Sequence, residues 1–217
     1  MRPLTKLFDW RDPDSLAARL RKRRYAVLEA LIGSLPRPAK VLDVGGTQAF
    51  WEAIECADVG VTICLLNLEP QTVTRPNFKS VVGDATDMRQ FGDEAFDLVF
   101  SNSVIEHVGD YDSQARMANE IIRVGRRYLV QTPNRDFPIE PHFVFPYFDA
   151  LPLSMRVWLV MHLSLGWYPR IPDRQQAIRE IMSIRLLRRA ELARLFPGAT
   201  LRVERFLGLA KSFLIYK

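Results

Sequence analysis

Eight residues, Val41-Leu42-Asp43-Val44-Gly45-Gly46-Thr47-Gln48, constrain this chain more than any other stretch. An apolar run of this length, with an acid near its end, reads as a buried strand. The adjacent glycines beyond it allow a tight turn on which a ligand can lie without meeting a Cβ. At the carboxyl edge of a parallel sheet such a turn makes a nucleotide site, because ligands bind where strand order reverses and the next helix offers unpaired N–H groups. A nicotinamide fingerprint needs G-x-G-x-x-G after the strand, and Gly45-Gly46-Thr47-Gln48-Ala49-Phe50 does not supply it.

The pattern downstream repeats the same theme. Phe50–Cys56 continues as a helix, and Val61–Leu66 reads as a second buried strand ending at Asn67-Leu68-Glu69-Pro70. A polar or acidic residue about twenty positions beyond the glycines is where a ribose hydroxyl pair is commonly held, and both Asn67 and Glu69 suit that work. Ser80–Val82 ends at Gly83-Asp84-Ala85, and Phe96–Phe100 ends at Ser101-Asn102-Ser103. Four successive strands ending in small or polar residues predict a row of polar groups along one edge of an α/β sheet.

Asp112–Arg126 is amphipathic, with Met117, Ile121 and Ile122 expected inward, and Tyr128–Gln131 is a fifth strand ending at Thr132-Pro133-Asn134. The alternation then stops. Residues 135–190 hold many prolines and aromatics, among them Phe143, Phe145, Tyr147, Trp158, Trp167 and Tyr168, and read as a lid on the acceptor side of the site. Arg189–Phe196 is a short helix, and Leu201–Leu207 with Ser212–Tyr216 forms a closing strand pair around Gly208. Before the first strand, Pro13–Leu35 has apolar residues near helical spacing, with Asp12 as N-cap and Pro13 at the first position. The expected organisation is one domain of 217 residues, with a helical region (1–40), a cofactor-binding core (41–134), a lid (135–190) and C-terminal strands (191–217).

No apolar targeting region precedes Asp12, and Cys56 and Cys64 make neither a disulfide framework nor metal-ligand spacing, which fits a reducing cytoplasm. The net charge of +5 is uneven. Residues 1–40 carry ten Lys/Arg against four Asp/Glu, residues 41–169 nine against seventeen, and residues 170–217 eleven against four. Basic ends around an acidic middle fit solvated helix faces flanking the core. The alternative is a non-catalytic module that binds a membrane or a polyanion.

Taken in order, VLDVGG, GDATDM and FDLVFSNSVIEHV resemble the first motif, the adenine-binding turn and the fourth strand with its loop in class I S-adenosylmethionine-dependent methyltransferases. The likeness is to the type-11 group that includes ubiquinone-pathway O-methyltransferases, and it spans about Lys40–Asn134, with the terminal strand pair agreeing. It implies a Rossmann-like, mostly parallel seven-stranded sheet with an antiparallel closing strand and a helical insertion after the fifth strand, and S-adenosyl-L-methionine as cofactor. It further implies that Asp43, Gly45 and Gly46 face the methionine moiety, and that Asn67 or Glu69 holds the ribose. Asp84 would accept from the adenine amino group, the Ala85 backbone would pair with the ring, and Ser101 and Asn102 would border the sulfonium. Thr47 and Ala49 stand where the family usually has further glycines, so Thr47 joins the cofactor loop as a departure from the pattern.

The acceptor side rests on few residues. His107 follows the fourth strand beside Glu106, and His142 lies in the proline-bounded loop Pro138-Ile139-Glu140-Pro141-His142-Phe143. Either imidazole would serve as base, with Glu106 beside it. Glu106, His107, Glu140 and His142 are metal-ligand types, but Ser103 stands where a Glu-x-x-Glu-His run has its first carboxylate, so no metal is expected. Leu151–Tyr168 is apolar nearly all round, yet too interrupted to span a bilayer. With Arg170, Arg174 and Arg179 beside it, it suits a lipid-linked acceptor and peripheral membrane contact. The expected reaction is O-methylation of a small-molecule, sugar or lipid-linked acceptor; nucleic acid is not an expected partner.

Overall fold

The computed structural model describes residues 16–54 and 60–217; Asp12, Pro13 and Cys56 lie outside the described residues. The chain enters through α1 (Leu16–Gly33) and reaches β1 (Ala39–Val44), which is buried at every residue except Lys40. Burial on both faces is what a central parallel strand requires, and it explains why the run is continuously apolar rather than alternating. β1 pairs in parallel with β2 (Val61–Asn67) on one side and with β4 (Leu98–Asn102) on the other, and β3 (Phe78–Val82) extends the sheet beyond β2. With β5 (Tyr128–Pro133) and a terminal hairpin of β8 (Thr200–Phe206) and β9 (Leu209–Tyr216), the order is β3-β2-β1-β4-β5-β9-β8. β9 runs antiparallel to β5, while β1 to β5 pair in parallel. The order reverses between β1 and β4, so their carboxyl ends open a crevice.

Because successive strand residues point to opposite faces, Leu42 and Val44 pack on one side and Val41 on the other. The first side holds Leu66, Val99, Val130 and the buried face of α3 (Tyr111–Val124), with α6 (Arg189–Leu195). The second holds Ile63, Leu65, Phe100 and Leu129 against Leu28 and Ile32 of α1 and Trp51 of α2 (Gln48–Ile54). Asp110 caps α3 by accepting from the Ser113 backbone N–H at 2.8 Å. Met117 and Ile121 are fully buried, as their spacing predicts, but Ile122 is 38% exposed. The next position lies about 100° round the helix, so a neighbour of a core residue need not share its face.

After β5 comes the insertion that the sequence suggests as a lid: a hairpin of two-residue strands β6 (Ile139–Glu140) and β7 (Phe145–Pro146), then α4 (Leu153–His162) and α5 (Arg174–Met182). The insertion has its own core, in which Phe143, Phe148, Val157, Val160, Leu165 and Ile181 are buried. The apolar stretch 151–168 is therefore not one helix; α4 ends at His162 and the chain turns back. Among the described residues no helix is long and apolar enough to cross a membrane.

The outward position of Ile122 is checked by urea denaturation of two variants. Ile121→Ala should cost about 2–5 kcal/mol, the range for emptying a packed aliphatic site. Ile122→Ala should stay within about 0.5 kcal/mol, as for an exposed position.

Candidate active site

The turn after β1 is shaped from beneath by Asp43. Its carboxylate is 1% exposed and accepts a 2.7 Å hydrogen bond from the Trp51 indole N–H, which α2 brings back against the strand end. Burial raises the Asp43 pKa to about 7, although the Trp51 bond works in the opposite direction. A Cβ on Gly46 would fall 1.6 Å from Asp43 Oδ2, and one on Gly45, whose φ is +78°, would fall 2.5 Å from Val104 Cγ2. Both positions are closed to any side chain by the protein itself. The Asn67 amide ties down the same turn by donating to Gly46 O at 3.0 Å. Thr47 closes the first turn of α2, its Oγ1 accepting from Phe50 N at 3.3 Å.

Above this turn a cleft of about 500 Å³ runs along the strand ends, lined among others by Gly45, Asn67, Glu69, Asp84, Ala85 and His107. Leu66, Leu68 and Val104 supply apolar walls that the sequence pattern did not single out. A smaller recess of about 110 Å³ adjoins it, where Asp43, Gly46, Thr47 and Asn102 meet Phe50 and Phe100. Asp84 turns one oxygen, Oδ1, to the Thr86 backbone N–H and hydroxyl, both at 2.8 Å, which orders the turn after β3. Ser101 lines neither cavity. It is fully buried in β4, and its Oγ has no hydrogen-bond partner among the described residues.

Asn102, at the end of β4, is held from outside the sheet. Its Oδ1 accepts from Arg24 Nη1 at 2.7 Å, and the same guanidinium binds Glu204 through Nε and Nη2 at 3.1 and 2.7 Å. Glu204 also accepts from the Ser212 hydroxyl at 2.5 Å. Helix α1, the end of β4 and the terminal hairpin thus share one charge network. A paired guanidinium and carboxylate 180 residues apart give no local signal in a sequence.

The loop after β4 and the loop after β5 converge beside the cleft. The His107 and His142 rings meet edge to face, 4.9 Å between centroids. His142 Nδ1 lies 2.6 Å from Glu140 Oε1, and Glu140 Oε2 accepts from the backbone N–H groups of His142 and Phe143 at 2.8 and 2.6 Å. Glu140 is 4% exposed, so the carboxylate is fixed by three contacts and fixes the imidazole in turn. Burial lowers the basicity of His142, but the Glu140 bond and the charges of Glu140, Glu106 and Asp149 outweigh it and leave its pKa above the ordinary imidazole value. His107 goes the other way. Desolvation, then the charge of His142, pull it down to about 4.

Glu106 is fully buried, and burial raises its pKa to about 7. Its Oε2 accepts from the Thr132 hydroxyl at 2.9 Å, while Oε1 has no partner among the described residues. One donor atom each of Glu106, His107 and His142 lies within 4.8 Å of the others, so the three can converge on a single ion or on a single acceptor hydroxyl. Thr132 and the positioning part of Glu140 are absent from the sequence reading. Their only local signal is a polar residue at a strand end and an acid two residues before a histidine.

The match to known proteins is extensive for the family model and the solved structures and partial for the curated proteins. Residues 15–204 fit the family described as a methyltransferase domain. The chain belongs to the methyltransferase-domain family. Solved structures share the fold of this chain at low sequence identity. One is a SAM-dependent methyltransferase from Methanosarcina mazei, with a TM-score of 0.52, 14% identity, and cover of 86% of this chain and 95% of that one. Another is the Burkholderia thailandensis 1,6-didemethyltoxoflavin-N1-methyltransferase, solved with 1,6-didemethyltoxoflavin and S-adenosylhomocysteine. It gives a TM-score of 0.53 and 16% identity over 99% of this chain and 84% of that one. Among curated proteins, the uncharacterized protein Rv1509 of Mycobacterium tuberculosis is 38% identical over 65 residues, which are 30% of this chain and 22% of that protein.

The residues present fit S-adenosylmethionine, the cofactor of class I methyltransferases. The cleft volume lies within the range of small-ligand sites. Its strand-end glycine turn is kept bare by internal contacts, and acids stand at two of its strand ends with apolar walls between them. Asn67, Glu69 and Asp84 are the side chains that would hold hydroxyl and amino groups there.

Asp43 gives this site a measurable pH signature. Its folded pKa of about 7 exceeds its unfolded value of 3.8, so the stability it contributes is fully present below pH 3.8 and is lost as pH rises through 7. Equilibrium unfolding of Asp43→Asn should show a shallower fall in stability between these two pH values than the parent. An identical slope would mean that Asp43 does not titrate in that window.

Proposed function

We propose that this methyltransferase transfers a methyl group from S-adenosylmethionine to a hydroxyl of a small-molecule, sugar or lipid-linked acceptor, with His142 taking the hydroxyl proton. The observation that carries this reading is the Glu140–His142 pair, 2.6 Å apart, set against His107 at the cleft. The cofactor, when bound, supplies an electrophilic methyl on a sulfonium. Displacement at such a carbon asks the protein chiefly for alignment and exclusion of water, and for a base where the acceptor is a hydroxyl.

Each residue then has a task set by its surroundings. Glu140 holds Nδ1 of His142, which leaves Nε2 as the free proton acceptor, and its charge strengthens that base. His107, neutral because its pKa is depressed, stands at the cleft wall as a hydrogen-bonding partner for the acceptor. Glu106 offers Oε1, which has no partner among the described residues, beside the two rings. Asn102, fixed by Arg24, borders the recess next to the glycine turn and would face the sulfonium side. A lipid-linked acceptor is favoured by the apolar lid that carries His142.

The test is release of S-adenosylhomocysteine across a panel of phenols, sugars and long-chain alcohols. With an accepted hydroxyl, His142→Ala should lower turnover by about 10²-fold or more, the usual scale for a general base. Cofactor affinity should be unchanged. Glu140→Gln should move the acidic limb of the pH–kcat profile to lower pH, since removing the carboxylate weakens the base. Unchanged turnover in both His107→Ala and His142→Ala would remove the imidazoles from the chemistry.

A further inference from the structure

The lid carries an apolar face that its own core leaves open. Helix α4 buries Val157 and Val160, while Met155 and Trp158 on its other side are 51% and 56% exposed. These two residues, with Phe145, Leu151, Ser154 and Leu159, line a surface cavity of about 440 Å³. Spacing of i, i+3 and i+4 places Met155, Trp158 and Leu159 along one stripe of the helix. Leu163 and Trp167 continue the exposed apolar surface past the helix end, at 39% and 50%. Scattered apolar residues are ordinary on a surface, but two half-exposed tryptophans and a methionine beside an apolar cavity are not.

Charge distinguishes the possible occupants. Between Asp149 and Asp173 the sequence has no acid, and Arg156 and Arg170 are its only formal charges. Arg170, Arg174 and Arg179, the next basic residues along the chain, are all exposed. Tryptophan, flexible apolar side chains and flanking arginines together match the boundary between headgroups and acyl chains in a bilayer with anionic lipids. A helix of ten residues is too short to cross such a bilayer, so it would lie in the surface.

The same surface is joined to the site. The backbone N–H of Trp167 donates to His142 O at 3.2 Å, and a Cβ on Gly166 would fall 2.4 Å from that oxygen. Phe143, next to His142, stacks on Phe148 and Tyr168 of the lid at 4.3 and 4.9 Å. Whatever seats Trp167 therefore bears directly on the loop that carries the imidazole.

We infer that the exposed face of α4 and the turn at Trp167 dock this protein on the surface of a bilayer containing anionic lipid, presenting the His142 loop to acceptors held there. This rests on the reading of the 140s loop as the acceptor side. Docking and cofactor binding are separate measurements.

The test uses the full chain with vesicles of phosphatidylcholine, with and without phosphatidylglycerol. It should co-sediment with the anionic vesicles and release at high salt, and lipids brominated on their acyl chains should quench its tryptophan fluorescence. Most of that quenching should vanish in the Trp158→Phe/Trp167→Phe variant. Trp158→Glu, at an exposed position, should weaken co-sedimentation at least tenfold. S-adenosylhomocysteine affinity, read on the same sample, should stay at the parent value, which shows the variant folded. No co-sedimentation, or co-sedimentation that Trp158→Glu leaves intact, would overturn the inference. So would a concentration-dependent dimer abolished by Trp158→Glu, because a second copy of the chain would then cover the face. Loss of cofactor binding in the parent, with docking retained, would count against the methyltransferase reading and leave the docking surface standing.

Discussion

A carboxylate buried at the end of the central strand sets the shape of everything around it. Asp43 is almost wholly buried, and the Trp51 indole N–H donates to one of its oxygens. A charge so placed is costly, which is why burial lifts its pKa toward neutrality and why its neighbours are constrained so tightly. Trp51 must come back against β1, so α2 has to start within a few residues of the strand end. Gly46 must lack a side chain because the carboxylate already fills the space. Asn67 then holds the turn from β2. The bare backbone at the reversal point of the sheet is a product of these internal contacts, and the ligand cleft is the space they leave.

The polar groups beside the cleft come from elsewhere, and each is held by a second contact. Glu106 is pinned by Thr132 across β5, His142 by Glu140, and Asn102 by an arginine from the first helix. Two imidazoles at van der Waals distance, one made more basic and one less, form an asymmetric pair. Environments that pull like groups apart in this way are how a site assigns acid and base roles at one pH. The insertion after β5 brings His142 to this pair, and the loop after β4 brings His107.

Much of this was legible in the sequence, and the limits have physical causes. Strand ends at 45, 67, 84 and 102 could be read because a parallel sheet places all its carboxyl ends on one edge, so polar endings must gather there. The order of motifs supplied the cofactor. The sequence did not show which way Asp43 turns, because the donor lies eight residues on and reaches it only through the packing of α2. It misplaced Ile122, since apolarity marks a face to within one neighbour and no better. The Arg24–Glu204–Asn102 network was invisible because its members are joined only once the terminal hairpin closes the sheet. Residues 151–168 looked like one apolar segment, and only the structure separates a buried side at Val157 and Val160 from an open side at Met155 and Trp158.

The most direct measurement is a calorimetric titration of the protein with S-adenosylhomocysteine, run beside NAD and repeated for Asp84→Ala. If the cleft along the strand ends is the cofactor site, S-adenosylhomocysteine binds with one-to-one stoichiometry, NAD does not, and the substitution weakens binding about tenfold, the loss expected for one hydrogen bond to a charged group. No binding to the folded protein, or binding that Asp84→Ala leaves untouched, would contradict the assignment of that cleft.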